Sequence, residues 1–103
     1  MIEATERTIE KLISTGKVLV EIYTPTCVPC QQMKNNALAE IETEAKVVLV
    51  DATKNMGAVS WLSKQGIGNV SGVPVLLYFK DGELKNRAGF IGTKEGVLSF
   101  IGK

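Results

Sequence analysis

The chain is 103 residues long, enough for one domain with a core of modest size and too short for a second. Hydrophobic residues make up 45% and charged residues 22%, the balance of an ordinary globular protein. Twelve basic side chains against eleven acidic ones leave a net charge of +1 with no long run of either sign, which argues against nucleic acid and against an acidic membrane surface as partners. No apolar stretch approaches the roughly 20 residues that cross a bilayer. The opening Met1-Ile-Glu-Ala-Thr-Glu-Arg is charged at once and lacks the apolar segment of a secretion signal, so the expected location is cytoplasmic.

Residues 5–14 set Ile9, Leu12 and Ile13 on one helical face, with Thr5 placed to cap the start and Ser14-Thr-Gly16 to end it. Residues 17–23 (KVLVEIY) are β-branched and nearly continuous in apolar side chains, the pattern of a strand covered on both faces. Thr24-Pro25-Thr26 breaks it. From Cys27 to about Thr43 a helix is expected, with Met33, Ala37, Ile41 and Ala45 at four-residue spacing. A second buried strand spans 46–51 (KVVLVD), and a helix over 55–65 carries Val59, Trp61 and Leu62 and ends at Gly66, with Gly57 as a weak point. Residues 74–79 (PVLLYF) form a third strand, and Asp81-Gly82 signals a two-residue hairpin into a fourth at 83–89. A helix over 93–101 closes the chain, with Gly96 a flaw of about 1 kcal/mol. The alternation predicts an α/β fold: a mixed central sheet, parallel strands first and an antiparallel hairpin last, with helices on both faces.

The chemistry lies in Cys27-Val28-Pro29-Cys30, at a strand-to-helix junction. Two intervening residues at a helix start bring two sulfurs within bonding reach. Cys27 then sits at the helix N-terminus, where unpaired N–H groups and the macrodipole favour an anion. The thiolate is the attacking species in disulfide exchange, and Cys30, one turn in and more buried, is placed to resolve a mixed disulfide on Cys27. Pro29 favours helix entry. The competing readings are half a metal site and a pair of packing cysteines. With two Cys and no His, one chain offers no four-ligand zinc site, so no metal is expected. A structural disulfide would not persist in a reducing cytosol, so a Cys27–Cys30 bond points to a working redox couple. Glu21 is out of place inside an apolar strand. It is either a buried carboxyl with a raised pKa, suited to taking a proton from Cys30, or a side chain that reaches water at the sheet edge.

Along nearly its whole length the chain resembles the thioredoxin family. The resemblance rests on the strand VLVEIY, on Thr24-Pro25-Thr26-Cys27-Val28-Pro29-Cys30, on the run Ser71 to Phe79, on Lys80-Asp81-Gly82-Glu83 and on Arg87-Ala88-Gly89-Phe90. It implies a thioredoxin fold over 1–103 and protein-disulfide reductase activity with no bound cofactor. The implied partners are disulfide-containing protein substrates and a thioredoxin reductase or other thiol donor, with the chain acting as a monomer. Pro74 looks like the family's cis-proline facing the dithiol, although a proline merely opening a strand is the plainer reading. Glu21 stands where the family has a buried Asp behind the second cysteine. Thr26, Val28, Pro29, Val73, Pro74, Gly89 and Phe90 would line the substrate groove, with Phe90 equally suited to the core.

The departures are specific. Thr26 and Val28 replace the family's usual Trp before and Gly after the first cysteine, Gln31 its basic residue and Asn35 its helix-kinking proline. Leu49 stands where a buried Lys is usual, which removes a cation that would help Glu21 ionise. The N-terminal strand is at most Met1 to Ala4. Ile67-Gly68-Asn69 is expected to form an added loop before Pro74. Trp61, on the third helix, is expected to pack in the core and to report poorly on the dithiol. Two alternatives remain: a glutaredoxin-like or ribonucleotide-reductase-specific electron donor, and a binding module whose groove grips a partner while its redox state is incidental.

Overall fold

The computed structural model describes residues 1–102. Five strands form one sheet in the order β1-β3-β2-β4-β5: β1 (Ile2–Glu3), β2 (Lys17–Tyr23), β3 (Lys46–Asp51), β4 (Val75–Lys80) and β5 (Glu83–Ala88). β3 runs parallel to both β1 and β2, whereas β4 runs antiparallel to β2 and to β5. The apolar run of β2 thus becomes the central strand, as its burial on both faces requires. Asp81 and Gly82, with φ of 50° and 85°, make the two-residue turn between β4 and β5. The N-terminal strand is the expected stub.

Alternation along the strands divides the core in two. Val18, Val20 and Ile22 join Val48, Val50, Leu77 and Phe79 under α1 (Ile9–Ile13) and α4 (Met56–Leu62). Leu19, Leu49, Leu76 and Tyr78 face the other way, toward Met33, Leu38, Ile41 and the Val97 and Ile101 side chains. Each fully buried Leu, Ile or Phe in these clusters contributes about 1.5–3 kcal/mol. Trp61 of α4 is half-buried against the first cluster, beside Ile13 and Gly82, at the pole where the β4–β5 turn lies.

Three helices depart from expectation. The expected helix over 27–43 is α2 (Val28–Met33), a π-turn at Lys34–Leu38 and a short α3 (Ala39–Ile41). Residues four apart drift by about 40° per step around an ideal α-helix, and the wider π-turn takes up that drift, so that Met33, Ala37 and Ile41 all stay buried. The first helix begins at Ile9. Before it, a turn from Thr5 uses the threonine hydroxyl to accept the Arg7 N–H (3.2 Å). After α4, a π-turn at Ser63–Ile67 ends where Gly66 takes φ of 94°. Ile67, expected in a loop, is buried in the first cluster instead. In α5 (Lys94–Phe100) the Thr93 hydroxyl caps the start by accepting the Gly96 N–H (3.0 Å). A Cβ on Gly96 would come within 2.7 Å of the Ile91 side chain, so the glycine that weakens this helix is what lets the preceding loop pack on it.

Candidate active site

The loop after β2 delivers the cysteines. Cys27 donates its N–H to Thr24 O (3.1 Å), and the Gln31 side-chain amide reaches back to Pro25 O (2.9 Å), fixing residues 24–26 against α2. Cys27 is the N-cap of α2, with Pro29 in the first turn. Cys27 and Cys30 are joined in a disulfide with their Cα atoms 5.3 Å apart. The Cys30 N–H points at Cys27 Sγ (3.2 Å), so the sulfur accepts one of the helix's free N–H groups, and that donor would favour negative charge on it after reduction. Their exposures differ: Cys30 is 1% exposed, whereas Cys27 is half-buried and reachable from solvent. No cluster of potential metal ligands occurs among the described residues.

Several of the residues expected to line a groove are placed at the cysteine end of the sheet. Thr26, Val28 and Pro29 are exposed, Val28 at 63%. The Val73–Pro74 bond is cis, and Val75, which follows, pairs with Ile22 near the end of β2. Pro74 therefore lies at the same end of the sheet as the cysteine loop. Gly89 lies alongside it, since a Cβ there would be 3.8 Å from the Pro74 carbonyl oxygen. Phe90 is 50% exposed, which removes it from the core. Its loop is tied to the dithiol helix by the Ile91 N–H, which donates to Met33 Sδ (3.3 Å).

Glu21 is fully buried, and neither carboxylate oxygen has a hydrogen-bond partner. The alternative of an edge-facing, hydrated side chain is excluded. Two residues on from Leu19, it points to the sheet face covered by α2, the helix that carries Cys30. Burial pushes its pKa up to about 8; the Lys34 charge pulls it down, and the Glu3 carboxylate adds a small upward push. Lys34 is half-buried, one turn beyond Cys30, and its N–H donates to the Cys30 carbonyl. A cation therefore does act on Glu21, from the π-turn that follows α2 rather than from β3, where Leu49 stands. Sequence reasoning passed over Lys34 because only the helical i, i+4 relation to Cys30 relates it to the site.

The thioredoxin family model matches residues 1–103. Thioredoxin of Bacillus subtilis (strain 168) is 27% identical over 107 residues, covering 100% of this chain and 96% of that protein. Protein disulfide-isomerase 1 of Caenorhabditis elegans is 34% identical over 100 residues, covering 90% of this chain but 19% of the larger protein. The structure of Fasciola hepatica thioredoxin superposes with a TM-score of 0.74 at 26% identity, over 97% of this chain and 94% of that one. With the fold, the cysteine pair and the match along the full length in agreement, the chain belongs to the thioredoxin family of thiol–disulfide oxidoreductases.

Proposed function

We propose that this chain reduces disulfides in protein substrates, acting as a single-domain monomer in a reducing cytoplasm and recharged by a thioredoxin reductase or another thiol donor. The observation that carries this reading is the unequal exposure of the two sulfurs at one helix N-terminus. In the reduced protein the Cys27 thiolate attacks a substrate disulfide. A Cys27–substrate bond forms and one substrate thiolate leaves. Cys30 then attacks Cys27 Sγ, the intramolecular disulfide closes, and the second substrate thiolate departs. Two electrons pass to the substrate, and the protons lost by the two cysteines balance those taken up by the two product thiols. Glu21, neutral near pH 7, is suited to hold and pass the proton that Cys30 gives up, once it has itself ionised. Thr26, Val28, Val73, Pro74, Gly89 and Phe90 wall the groove in which an extended substrate segment lies. With Thr26 and Val28 in place of the family's Trp and Gly, that groove has less aromatic surface and a stiffer rim.

The test is the reduction potential of the Cys27–Cys30 couple, by equilibration against a glutathione buffer. A value near or below about −250 mV fits a reductant. A value above about −200 mV overturns it in favour of an isomerase-like role, the direction in which the similarity to protein disulfide-isomerase 1 points. Cys27→Ser should abolish turnover, and persistence of the biological activity in that variant would instead favour the binding module.

A further inference from the structure

Beside the groove, a cavity of about 440 Å³ opens between the end of β5 and the segment leading into β4. Pro74 and Gly89 are part of its lining, and Ser71, Gly72 and Arg87 are among the other residues that line it. Arg87 is the one charged residue in that lining. Its guanidinium is held by two backbone carbonyls: Nη1 donates to Ile67 O and Nη2 to Asn69 O (3.2 Å). Both acceptors are neutral. Among the described residues Arg87 is paired with these carbonyls and with no carboxylate. Two carbonyls hold the fork of this exposed side chain in place and leave its charge and remaining N–H groups to solvent, open to an incoming acceptor, at a wall shared with Pro74.

We propose that Arg87 is a specificity-determining residue, which selects substrate segments bearing an Asp or Glu side chain next to the cysteine under attack. This rests on the reductase reading above. A carboxylate is the complement the site lacks: it accepts from a guanidinium with charge assistance, and the loop carbonyls have already restricted the arginine rotamer. The walls favour the same occupant. A Cβ on Gly72 would meet nothing within 4 Å, so an extended peptide backbone can approach there without displacing a side chain. A lysine or arginine at that substrate position would meet like charge, so the same residue rejects basic segments.

The experiment is single-turnover oxidation of the reduced full-length chain by three synthetic peptides. All carry the same intramolecular disulfide, flanked by Glu, Gln or Lys. Acid-quenched chromatography follows the reaction, with hydroxyethyl disulfide as an uncharged reference. The expected order is Glu over Gln over Lys, with about three- to tenfold between the extremes at low ionic strength. Arg87→Gln should flatten that order while leaving the hydroxyethyl disulfide rate unchanged, and Arg87→Lys should restore part of it. A wild-type chain without charge preference overturns the proposal. So does a preference that survives Arg87→Gln, or a variant that loses rate equally on all four disulfides, since that would mean Arg87 only holds the loop. No exchange with any of the four by the unsubstituted chain overturns the reductase reading itself, and this inference with it.

Discussion

Two carboxylates are buried in neighbouring strands of one sheet, and they behave oppositely. Asp51 ends β3 with three donors on Oδ1: the Thr53 N–H (2.8 Å), the Thr53 hydroxyl (2.6 Å) and the Lys54 N–H (3.3 Å). Those bonds, the Thr53 hydroxyl foremost, hold its pKa below the ordinary carboxylate value despite burial. Glu21 in β2 has no donor, and burial drives it up to about 8. Low exposure alone therefore does not decide the proton affinity of a carboxyl in this sheet; the depth of burial and the number of N–H and O–H groups turned toward it decide together. Asp51 is spent on closing a turn. Glu21 is unattached, and so is free to exchange its proton with a neighbour.

The contrast makes opposite predictions for stability against pH, and the Glu21 arm is the larger. A carboxyl whose pKa is higher in the folded chain favours the fold at low pH. That contribution is complete below pH 4.5 and is lost as pH rises through about 8. In that window the unfolded chain binds fewer protons, so stability falls with rising pH. The upper bound on the loss is about 5 kcal/mol. No histidine in the sequence confuses the window. Urea unfolding of the oxidised chain at pH 5 and pH 8.5 should show the fall, and Glu21→Gln should remove most of it. Equal slopes in the two proteins would break the comparison.

Asp51→Ala comes next. It strands three donors at a buried turn and should cost about 2–3 kcal/mol at pH 7, with Asp51→Asn costing less because one oxygen remains to accept. The pKa of Asp51 is lowered on folding, so its contribution is present above pH 3.8 and is lost as pH falls through its folded value, the reverse of Glu21. The smallest effect is expected at a third carboxylate. Glu3 is exposed and accepts one bond, from the Tyr23 hydroxyl (2.6 Å). Tyr23→Phe should cost under about 1 kcal/mol. A loss as large as that of Asp51→Ala would mean that solvent competes for exposed donors less than supposed.

How much could be seen beforehand differs by length scale. The cysteine motif, the Asp81-Gly82 turn and the buried strands depend on chemistry within a few residues, and each lies where the sequence places it. Glu21 was conspicuous because one charged residue inside an apolar strand must either reach water or be neutralised. Choosing between those needed the helix above it. The π-turn at Lys34–Leu38 was encoded in the strict four-residue spacing of Met33, Ala37 and Ile41, but the same spacing over one or two turns also fits an ordinary α-helix. Ile67 read as loop because glycines flank it, yet the turn at Gly66 directs it into the core. Arg87 was legible only as part of the family resemblance. Its grip on Ile67 and Asn69 spans about 20 residues, and nothing local announces it. Phe90 was undecidable from type alone, since an aromatic in a glycine-rich segment suits either core or rim.

Trp61 lies at the sheet end opposite the cysteine loop, against a cluster on the face away from α2. Its fluorescence therefore registers loss of the fold and is indifferent to whether the sulfurs are joined. Oxidised and reduced chains can thus be titrated with denaturant under one optical probe. The difference between their unfolding energies, set against the potential of the same cysteine pair in the unfolded chain, closes a thermodynamic cycle. The lone indole lets the redox potential be weighed as a difference in folding energy, without a redox buffer touching the native protein.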